Sequence, residues 1–300
     1  MIHSYPSVFQ LGHRCVERIF DGPVSVTEKV DGSQISFGVI DGALQVRSKG
    51  QQIILGGPNG MFDEAIASIT ALETKLHPGW TYRGEYLRNP HHNALSYTRI
   101  PHQHIILFDL DVGLESYVSH ETLVAEAGVI GLEVVPELFN GVITDRAMFN
   151  TLLETESVLG GPKIEGVVIK NYALFGQDKK VLMAKYVQSN FAEVNAGAQH
   201  RLAPNKQDII TQLIEAYRTH ARWQKAVQHL RERGTLQQAP QDIGPLMREV
   251  QADVLKEEAD AIKDALFKWA WPQIARAISH GLPEWYKEEL ARLAFPGEMA

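Results

Sequence analysis

The chain has 300 residues, 44% of them hydrophobic, which is enough for one large domain or two smaller ones with buried cores. It carries 29 Lys and Arg against 36 Asp and Glu, a net charge of −7, so any contact with a nucleic acid must come from local basic clusters rather than bulk charge. The single cysteine, Cys15, excludes an internal disulfide and a cysteine-rich zinc site. Without a signal-peptide pattern or an apolar run of about 18 residues, we expect a cytoplasmic protein with no membrane partner.

The first 190 residues predict a mixed α/β fold with mostly antiparallel sheets. Apolar alternation over Val24–Glu28 predicts a half-buried strand. Two further strands, Gln34–Ile40 and Ala43–Arg47, flank Asp41-Gly42, which is a strong hairpin signal. Helical spacing follows over Met61–Leu76. The remaining predictions are strands at 81–87, 104–110, 133–138, 164–170 and 180–187, and helices beginning near Ser119 and Thr144.

The pattern changes after Asn190, and towards the end of the chain only helical apolar spacing remains. A first helix is predicted from an apolar stripe over 210–221, with Gly234 as a plausible stop, and further helices are predicted over 246–254, 262–270 and 283–293. We therefore predict a mixed α/β domain over residues 1–190 and an all-α C-terminal domain over residues 196–300. Ala196–Pro204 is the predicted hinge.

A short motif, Lys29-Val30-Asp31-Gly32, directly follows the first predicted strand, so Lys29 should point into a cleft. Alone it is a weak signal, because such a motif occurs by chance in many proteins. Further short segments follow it in order: VRSKG at 46–50, RGEYL at 83–87, IILFD at 105–109, IEGVVIK at 164–170 and LMAKY at 182–186. The ordered set resembles the covalent nucleotidyltransferases (polynucleotide ligases and RNA capping enzymes). Among these it is most similar to the ATP-dependent RNA ligase 2 family, which seals breaks in duplex RNA.

The resemblance implies that Lys29 is a nucleophile that attacks the α-phosphorus of ATP, releases pyrophosphate and leaves lysyl-AMP. A free lysine is protonated at neutral pH, so the site must lower the pKa of Lys29. Nearby positive charge from Mg²⁺ (or Mn²⁺) and Lys185 is expected to do so. Lys170 and Lys185 would also bind the phosphates and neutralise charge that develops at the α-phosphorus. Taken alone, Lys29 would more simply be a solvated surface lysine.

Three positions are implied in binding the nucleoside. The backbone carbonyl of Glu28 would lie beside the adenine, and the Glu85 carboxylate would accept hydrogen bonds from the ribose hydroxyls. Phe108 would stack on the adenine face, although an aromatic residue in such an apolar strand fits the core equally well.

Four positions are implied in binding phosphate or metal. Asp31 and Gly32 would form a tight turn that brings backbone near the phosphates, although a plain turn explains them too. Arg47 would bind phosphate through its guanidinium fork. Glu165 would hold Mg²⁺ directly or through water, since hard cations prefer oxygen ligands.

Two features of the chain depart from this pattern or add to it. The family usually has Lys-x-Lys in the last motif, but Met183 replaces the first lysine, and only Lys185 remains. In the C-terminal half, Arg218, Arg222 and Lys225 follow helical spacing, which predicts a basic stripe able to bind an RNA backbone or simply a solvated helix face.

The expected function is that of an ATP-dependent RNA ligase joining 5′-phosphate and 3′-hydroxyl RNA ends, either in a nicked duplex or at a single-stranded break. A helical tail favours an RNA ligase, because DNA ligases and capping enzymes typically carry a small β-barrel there. The alternatives are a DNA ligase, a capping guanylyltransferase or a non-catalytic nucleotide- or RNA-binding module, which the Met183 substitution keeps open. No obligate protein partner is expected, and a viral or phage source is compatible with the sequence.

Overall fold

A computed structural model describes residues 1–57, 60–176, 178–188 and 209–294. The predicted hinge, 196–204, lies outside these residues. In the described part of the chain, no helix combines the length and hydropathy that crossing a membrane requires.

One sheet has five strands in the order β1-β11-β10-β2-β9. Its strands are β1 (Phe9–Gln10), β2 (Val24–Lys29), β9 (Glu137–Gly141), β10 (Gly166–Phe175) and β11 (Val181–Val187). All neighbours are antiparallel except β1 and β11. The register places Lys29 opposite Gly166, and it places Val168 opposite both Thr27 and Lys185.

The second sheet has six strands in the order β5-β4-β3-β6-β7-β8. Its strands are β3 (Ser33–Ile40), β4 (Ala43–Ser48), β5 (Gln52–Ile53), β6 (Thr81–Tyr86), β7 (Ile105–Asp111) and β8 (Glu133–Val134). The β3–β4 hairpin turns through Asp41 and Gly42, whose φ angles of 54° and 77° fit the predicted tight turn. The largely antiparallel, mixed α/β fold is thus confirmed.

Each sheet has one apolar and one polar face, because successive strand residues point to opposite sides. In the five-stranded sheet, Val26 and Ile169 are buried in a core with helix α3 (Met148–Leu152). In the six-stranded sheet, Phe37 and Tyr82 are buried against α1 (Asp63–Leu72) and α2 (His120–Ile130).

The two polar faces are turned toward each other. The face of the five-stranded sheet opposite its core carries Lys29, Lys170 and Lys185. The corresponding face of the other sheet carries Glu85 and Asp109. A direct ion pair between Lys170 and Asp109 joins the two faces. Four residues predicted to form the site, Lys29, Lys170, Lys185 and Glu85, therefore line the groove between the sheets.

The described residues from 209 to 294 are helical, as predicted, with helices α4 (Ile209–Tyr217), α5 (His220–Glu232), α6 (Ile243–Ile278) and α7 (Leu282–Ala294). The chain forms two compact units. The first contains residues 1–193 and 220–250, so α5 belongs with the sheets. The second contains 194–219 and 251–300, where Leu213 and Tyr217 of α4 pack against Ile262 and Leu266 of α6.

Some predicted helix limits are wrong. The stripe predicted as one helix over 210–221 is broken, because α4 ends at Tyr217 and the Thr219 amide donates to the Tyr217 carbonyl before α5 begins. The helices predicted over 246–254 and 262–270 are one continuous helix, α6. Between Leu246 and Trp271 there is no glycine or proline to interrupt it.

Candidate active site

Lys29 lies at the end of β2 and reaches the neighbouring strand. Its Nζ donates to Oε2 of Glu165 at 2.5 Å, and its side chain is 27% exposed, so the amine lies in the groove rather than in bulk water. The pairing of Lys29 with Gly166 brings Glu165 close. A Cβ on Gly166 would lie 2.5 Å from the Tyr186 carbonyl oxygen, so only glycine lets β10 and β11 approach this closely.

The electrostatic surroundings of Lys29 favour its protonated form. Burial lowers the pKa of Lys29, but Glu165, Asp31 and Glu85 together raise the pKa above its ordinary value. Carboxylates thus outweigh desolvation at the amine in the metal-free protein, and the lowering of this pKa by a bound cation stays a prediction.

Glu165 and Lys185 are also electrostatic neighbours. Burial raises the pKa of Glu165, and the positive charges of Lys29 and Lys185 act in the opposite direction. Lys185 lies two strands from Lys29 on the same face of the sheet. The structure thus brings the predicted nucleophile, the predicted metal ligand and one predicted phosphate-binding lysine together.

The Asp31-Gly32 turn is held by the loop that follows β6. Asp31 Oδ2 accepts hydrogen bonds from the amides of Ala94 at 2.7 Å and Leu95 at 2.8 Å. A Cβ on Gly32 would lie 3.0 Å from Cβ of Glu85, so glycine here permits close approach of β6. The turn therefore positions Lys29 relative to Glu85.

Glu85 lies in the groove with an incompletely satisfied carboxylate. Burial raises the pKa of Glu85 to about 8; Lys29 opposes the shift, whereas Glu232 and Glu165 add to it. Its Oε2 is buried, and within the described residues it has no hydrogen-bond partner. Arg47 is half-buried on the same face of the sheet, again with no ion pair among the residues described. Both groups have unused capacity to bind a polar ligand.

Lys170 is held in a buried ion pair. Its Nζ donates to the Phe108 carbonyl oxygen at 2.6 Å and lies 3.2 Å from Oδ2 of Asp109, and the two charged side chains are 1% and 2% exposed. Asp109 also accepts hydrogen bonds from Tyr5 and Tyr172. Lys170 pairs with Ser25, four residues along β2 from Lys29. In this position Lys170 has a structural role that the sequence did not indicate, because its ion pair with Asp109 joins the two sheets.

Phe108 lies at an irregularity between β6 and β7, where one extra residue interrupts the pairing. Its half-buried ring packs edge-on against Tyr5, with centroids 5.1 Å apart, and the Lys170 Nζ lies 5.7 Å from its centre. Met183 pairs with Lys170 and is fully buried, so the position of the missing lysine adjoins the ion pair rather than solvent.

Glu28 points away from the groove. Its carboxylate accepts hydrogen bonds from the Ser157 hydroxyl at 2.5 Å and the Val158 amide at 3.0 Å. Because it precedes Lys29 in the strand, its side chain lies on the opposite face. Only its backbone remains available for the predicted adenine contact.

The predicted basic stripe does not lie on one helix face. Arg218 follows the end of α4 and is exposed, whereas Arg222 and Lys225 lie on α5. Arg222 is 1% exposed, and Lys225 is half-buried. The interpretation as a continuous exposed surface is therefore wrong, because the turn at 218–219 separates the residues and packing covers Arg222.

Sequence reasoning missed several residues of the groove. Asp109 and Arg83 lie in strand segments that were singled out as motifs. A charged residue within a strand could have indicated a buried ion pair at either position. Arg83 is 0% exposed and lies 3.5 Å from Asp111. Gln228 of α5 contacts the Gly32 carbonyl, and nothing in the local sequence indicates it.

A family model described as RNA ligase matches residues 22–187. Among solved structures, the chain is similar to Naegleria gruberi RNA ligase with PPi, with a TM-score of 0.48 and 17% identity over 63% of this chain and 57% of that one. A mutant of that ligase with ATP and Mn is similar with a TM-score of 0.48 and 16% identity, again over 63% of this chain and 57% of that one. This chain therefore spans little more than half the length of those ligases. No curated protein matches it. Because the family match covers more than half of the chain and includes Lys29, Glu85, Glu165 and Lys185, the chain belongs to the RNA ligase family.

Proposed function

We propose that the protein is an ATP-dependent RNA ligase that joins 5′-phosphate and 3′-hydroxyl RNA ends through a lysyl-AMP intermediate on Lys29. The observation that carries the proposal is the contact between Lys29 and Glu165 in the groove, with Glu85 and Lys185 as electrostatic neighbours of this pair. Family membership supports the same chemistry.

The reaction has three displacements at phosphorus. The neutral Lys29 amine attacks the α-phosphorus of ATP, the bond to the bridging oxygen breaks, and pyrophosphate leaves while the amine loses a proton. The RNA 5′-phosphate then attacks the same phosphorus and releases the lysine. Finally, a 3′-hydroxyl attacks the activated 5′-phosphate, loses its proton and releases AMP. The protein supplies position and positive charge.

The donor atoms of the groove fit a divalent cation that is shared with the substrate. Among the described residues, no cluster of three or more His, Cys, Asp or Glu could hold a metal. Mg²⁺ commonly uses one or two carboxylates, with water and substrate phosphates completing its shell. Glu165, together with the unsatisfied Oε2 of Glu85, would supply the oxygens. Bound Mg²⁺ or Mn²⁺ would neutralise phosphate charge and lower the pKa of the nearby amine.

The nucleotide would lie along the polar faces of both sheets. Glu85 would accept from the ribose hydroxyls, and Phe108 would contact the adenine. Arg47 and Lys185 would bind phosphates, since a guanidinium or an ammonium in a partly dry groove interacts strongly with phosphate oxygens. Lys170 would contribute its charge from within the ion pair with Asp109.

RNA would be positioned in part by the helical residues of the range 196–300. Arg218 and Lys225 remain candidates for phosphate contacts, whereas Arg222 is too deeply buried in the described conformation for a direct one. Nicked duplex RNA is the first substrate to test.

Labelled ATP with Mg²⁺ tests the proposal. The protein should retain covalent AMP, and Lys29→Ala should abolish the label, while Lys75→Ala, which alters an exposed lysine outside the groove, should not. A protein that binds ATP but stays unlabelled would be a non-catalytic module. Lysyl-GMP formation would instead identify a capping enzyme, and preferential sealing of DNA nicks a DNA ligase.

A further inference from the structure

Helix α5 contacts the turn that follows the proposed nucleophile, although nearly 200 residues of sequence separate them. Gln228 Nε2 donates to the Gly32 carbonyl oxygen at 3.0 Å and to Oε1 of Glu232 at 2.8 Å. One turn further along the helix, Arg231 Nη1 donates to the His92 carbonyl oxygen at 3.3 Å. The C-terminal part of α5 is therefore hydrogen-bonded both to the Asp31-Gly32 turn and to the loop that holds this turn.

The Gly32 carbonyl receives a second hydrogen bond. Nδ2 of Asn93 donates to it at 3.0 Å, and the adjoining Asp31 accepts from two amides of the same loop. Gly32 lies three residues after Lys29, so the position of this turn restricts where the Lys29 amine lies. Two separate elements, the loop after β6 and helix α5, therefore hold the turn in place.

Helix α5 is itself firmly anchored in the first compact unit. Arg222, Ala226 and Leu230 are each 3% exposed or less. At its C-terminal end, Nδ1 of His229 lies 2.8 Å from Oε1 of Glu249. A well-packed helix of this kind holds the Gly32 carbonyl in a more precise position than a mobile segment would.

We propose that Gln228 is a positioning residue for formation of lysyl-AMP, because it holds the Asp31-Gly32 turn and thereby the Lys29 amine. This inference rests on the proposed ligase function. It assigns a role in the first chemical step to a helix that lies outside the match to the RNA ligase family, which ends at residue 187.

The test compares two methionine substitutions on the same helix. Gln228→Met keeps the side-chain length and helix propensity but removes the donor. Gln224→Met makes the same change one turn earlier, at an exposed position. Single-turnover formation of lysyl-AMP is measured across ATP concentrations, and urea unfolding midpoints are recorded for each variant.

Gln228→Met should lower the maximal rate about three- to tenfold, the loss expected for one hydrogen bond, while the half-saturating ATP concentration changes less than twofold. Gln224→Met should stay within twofold of wild type in both quantities. Asn93→Ala, which removes the other donor to Gly32, should also lower the maximal rate.

Equal rates for Gln228→Met and Gln224→Met, with wild type labelled normally, would overturn this inference and leave the proposed function intact. If Gln228→Met fails to fold, Asn93→Ala decides: an unchanged maximal rate would show that holding the Gly32 carbonyl does not govern the chemical step. An unlabelled wild type would instead overturn the proposed function itself.

Discussion

The buried ion pair between Lys170 and Asp109 offers the sharpest test of how this groove is built. The family resemblance assigns Lys170 to the phosphates, whereas its contacts place it between the two sheets, with Nζ 3.2 Å from Asp109 and 2.6 Å from the Phe108 carbonyl oxygen. Burial lowers the pKa of Lys170 in spite of Asp109, which shows how strongly the site desolvates the charge. Lys170→Met removes that charge while nearly conserving side-chain volume.

The expected cost follows from what remains after the substitution. Removing one member of a buried ion pair typically costs about 3–5 kcal/mol, because the other charge is left unpaired. Asp109 keeps two tyrosine hydroxyl donors, from Tyr5 and Tyr172, so we expect a value near the lower end, about 3 kcal/mol. The double variant Lys170→Met/Asp109→Asn should cost clearly less than the sum of its single changes, since neither charge survives.

Urea unfolding followed by circular dichroism gives these free energies, and a single-turnover assay gives the rate of lysyl-AMP formation. Lys185→Met is the matched comparison, because Lys185 lies on the same face of the sheet but is half-buried. It should slow the reaction with a change in unfolding free energy below about 1 kcal/mol. Lys170→Met with unchanged stability and abolished lysyl-AMP would refute the structural role of the pair.

Chelation of divalent cations should abolish lysyl-AMP formation, because Glu165 then keeps accepting from the Lys29 ammonium and the amine stays protonated; the label is counted with and without EDTA. Glu85→Gln should stabilise the metal-free protein increasingly from pH 5 to pH 8. With a pKa of about 8, the Glu85 carboxyl stays protonated in the folded protein, whereas in the unfolded chain it loses its proton above its ordinary pKa of 4.5. The stability of the wild type therefore falls as the pH rises between these two values. Urea unfolding at pH 5 and pH 8 measures the difference. Gly166→Ala should disrupt the β10–β11 pairing and reduce both stability and labelling, because its Cβ would lie 2.5 Å from a carbonyl oxygen. A chain ending at residue 195 should lose labelling as well as sealing, because it lacks α5.

Each of these predictions has a clear contrary result. Undiminished labelling in EDTA would exclude an essential metal in the first step, and a pH-independent effect of Glu85→Gln would show that this carboxyl is ionised in the folded protein. Wild-type stability of Gly166→Ala would mean that the strands separate easily. Full labelling by the shortened chain would exclude a role for α5 in the first step.

Local sequence was sufficient for much of the fold and for singling out Lys29 and Glu165, whose side chains the structure brings into contact. Alternation predicted most of the strands, Asp41-Gly42 predicted the hairpin, and Ser119 was correctly identified as the N-cap of α2. The single strand predicted over 133–138 is wrong, because β8 and β9 lie in different sheets, and the helix predicted to begin near Thr144 begins at Met148. Lys29 and Glu165 were found because each stands beside a strand in a short motif whose residues are neighbours in sequence. Strand periodicity and turn chemistry depend on such neighbours, so one segment at a time determines them.

Contacts between distant segments decided the rest. The bond from Lys170 to Phe108 spans 62 residues, and that from Gln228 to Gly32 spans 196. The same holds for the raised pKa of Lys29, to which Glu165 and Glu85 from distant segments contribute beside the neighbouring Asp31, and for the burial of Arg222. A pKa or a buried charge depends on which groups folding brings within a few ångströms, and spacing along one helix or strand carries no information about partners on another.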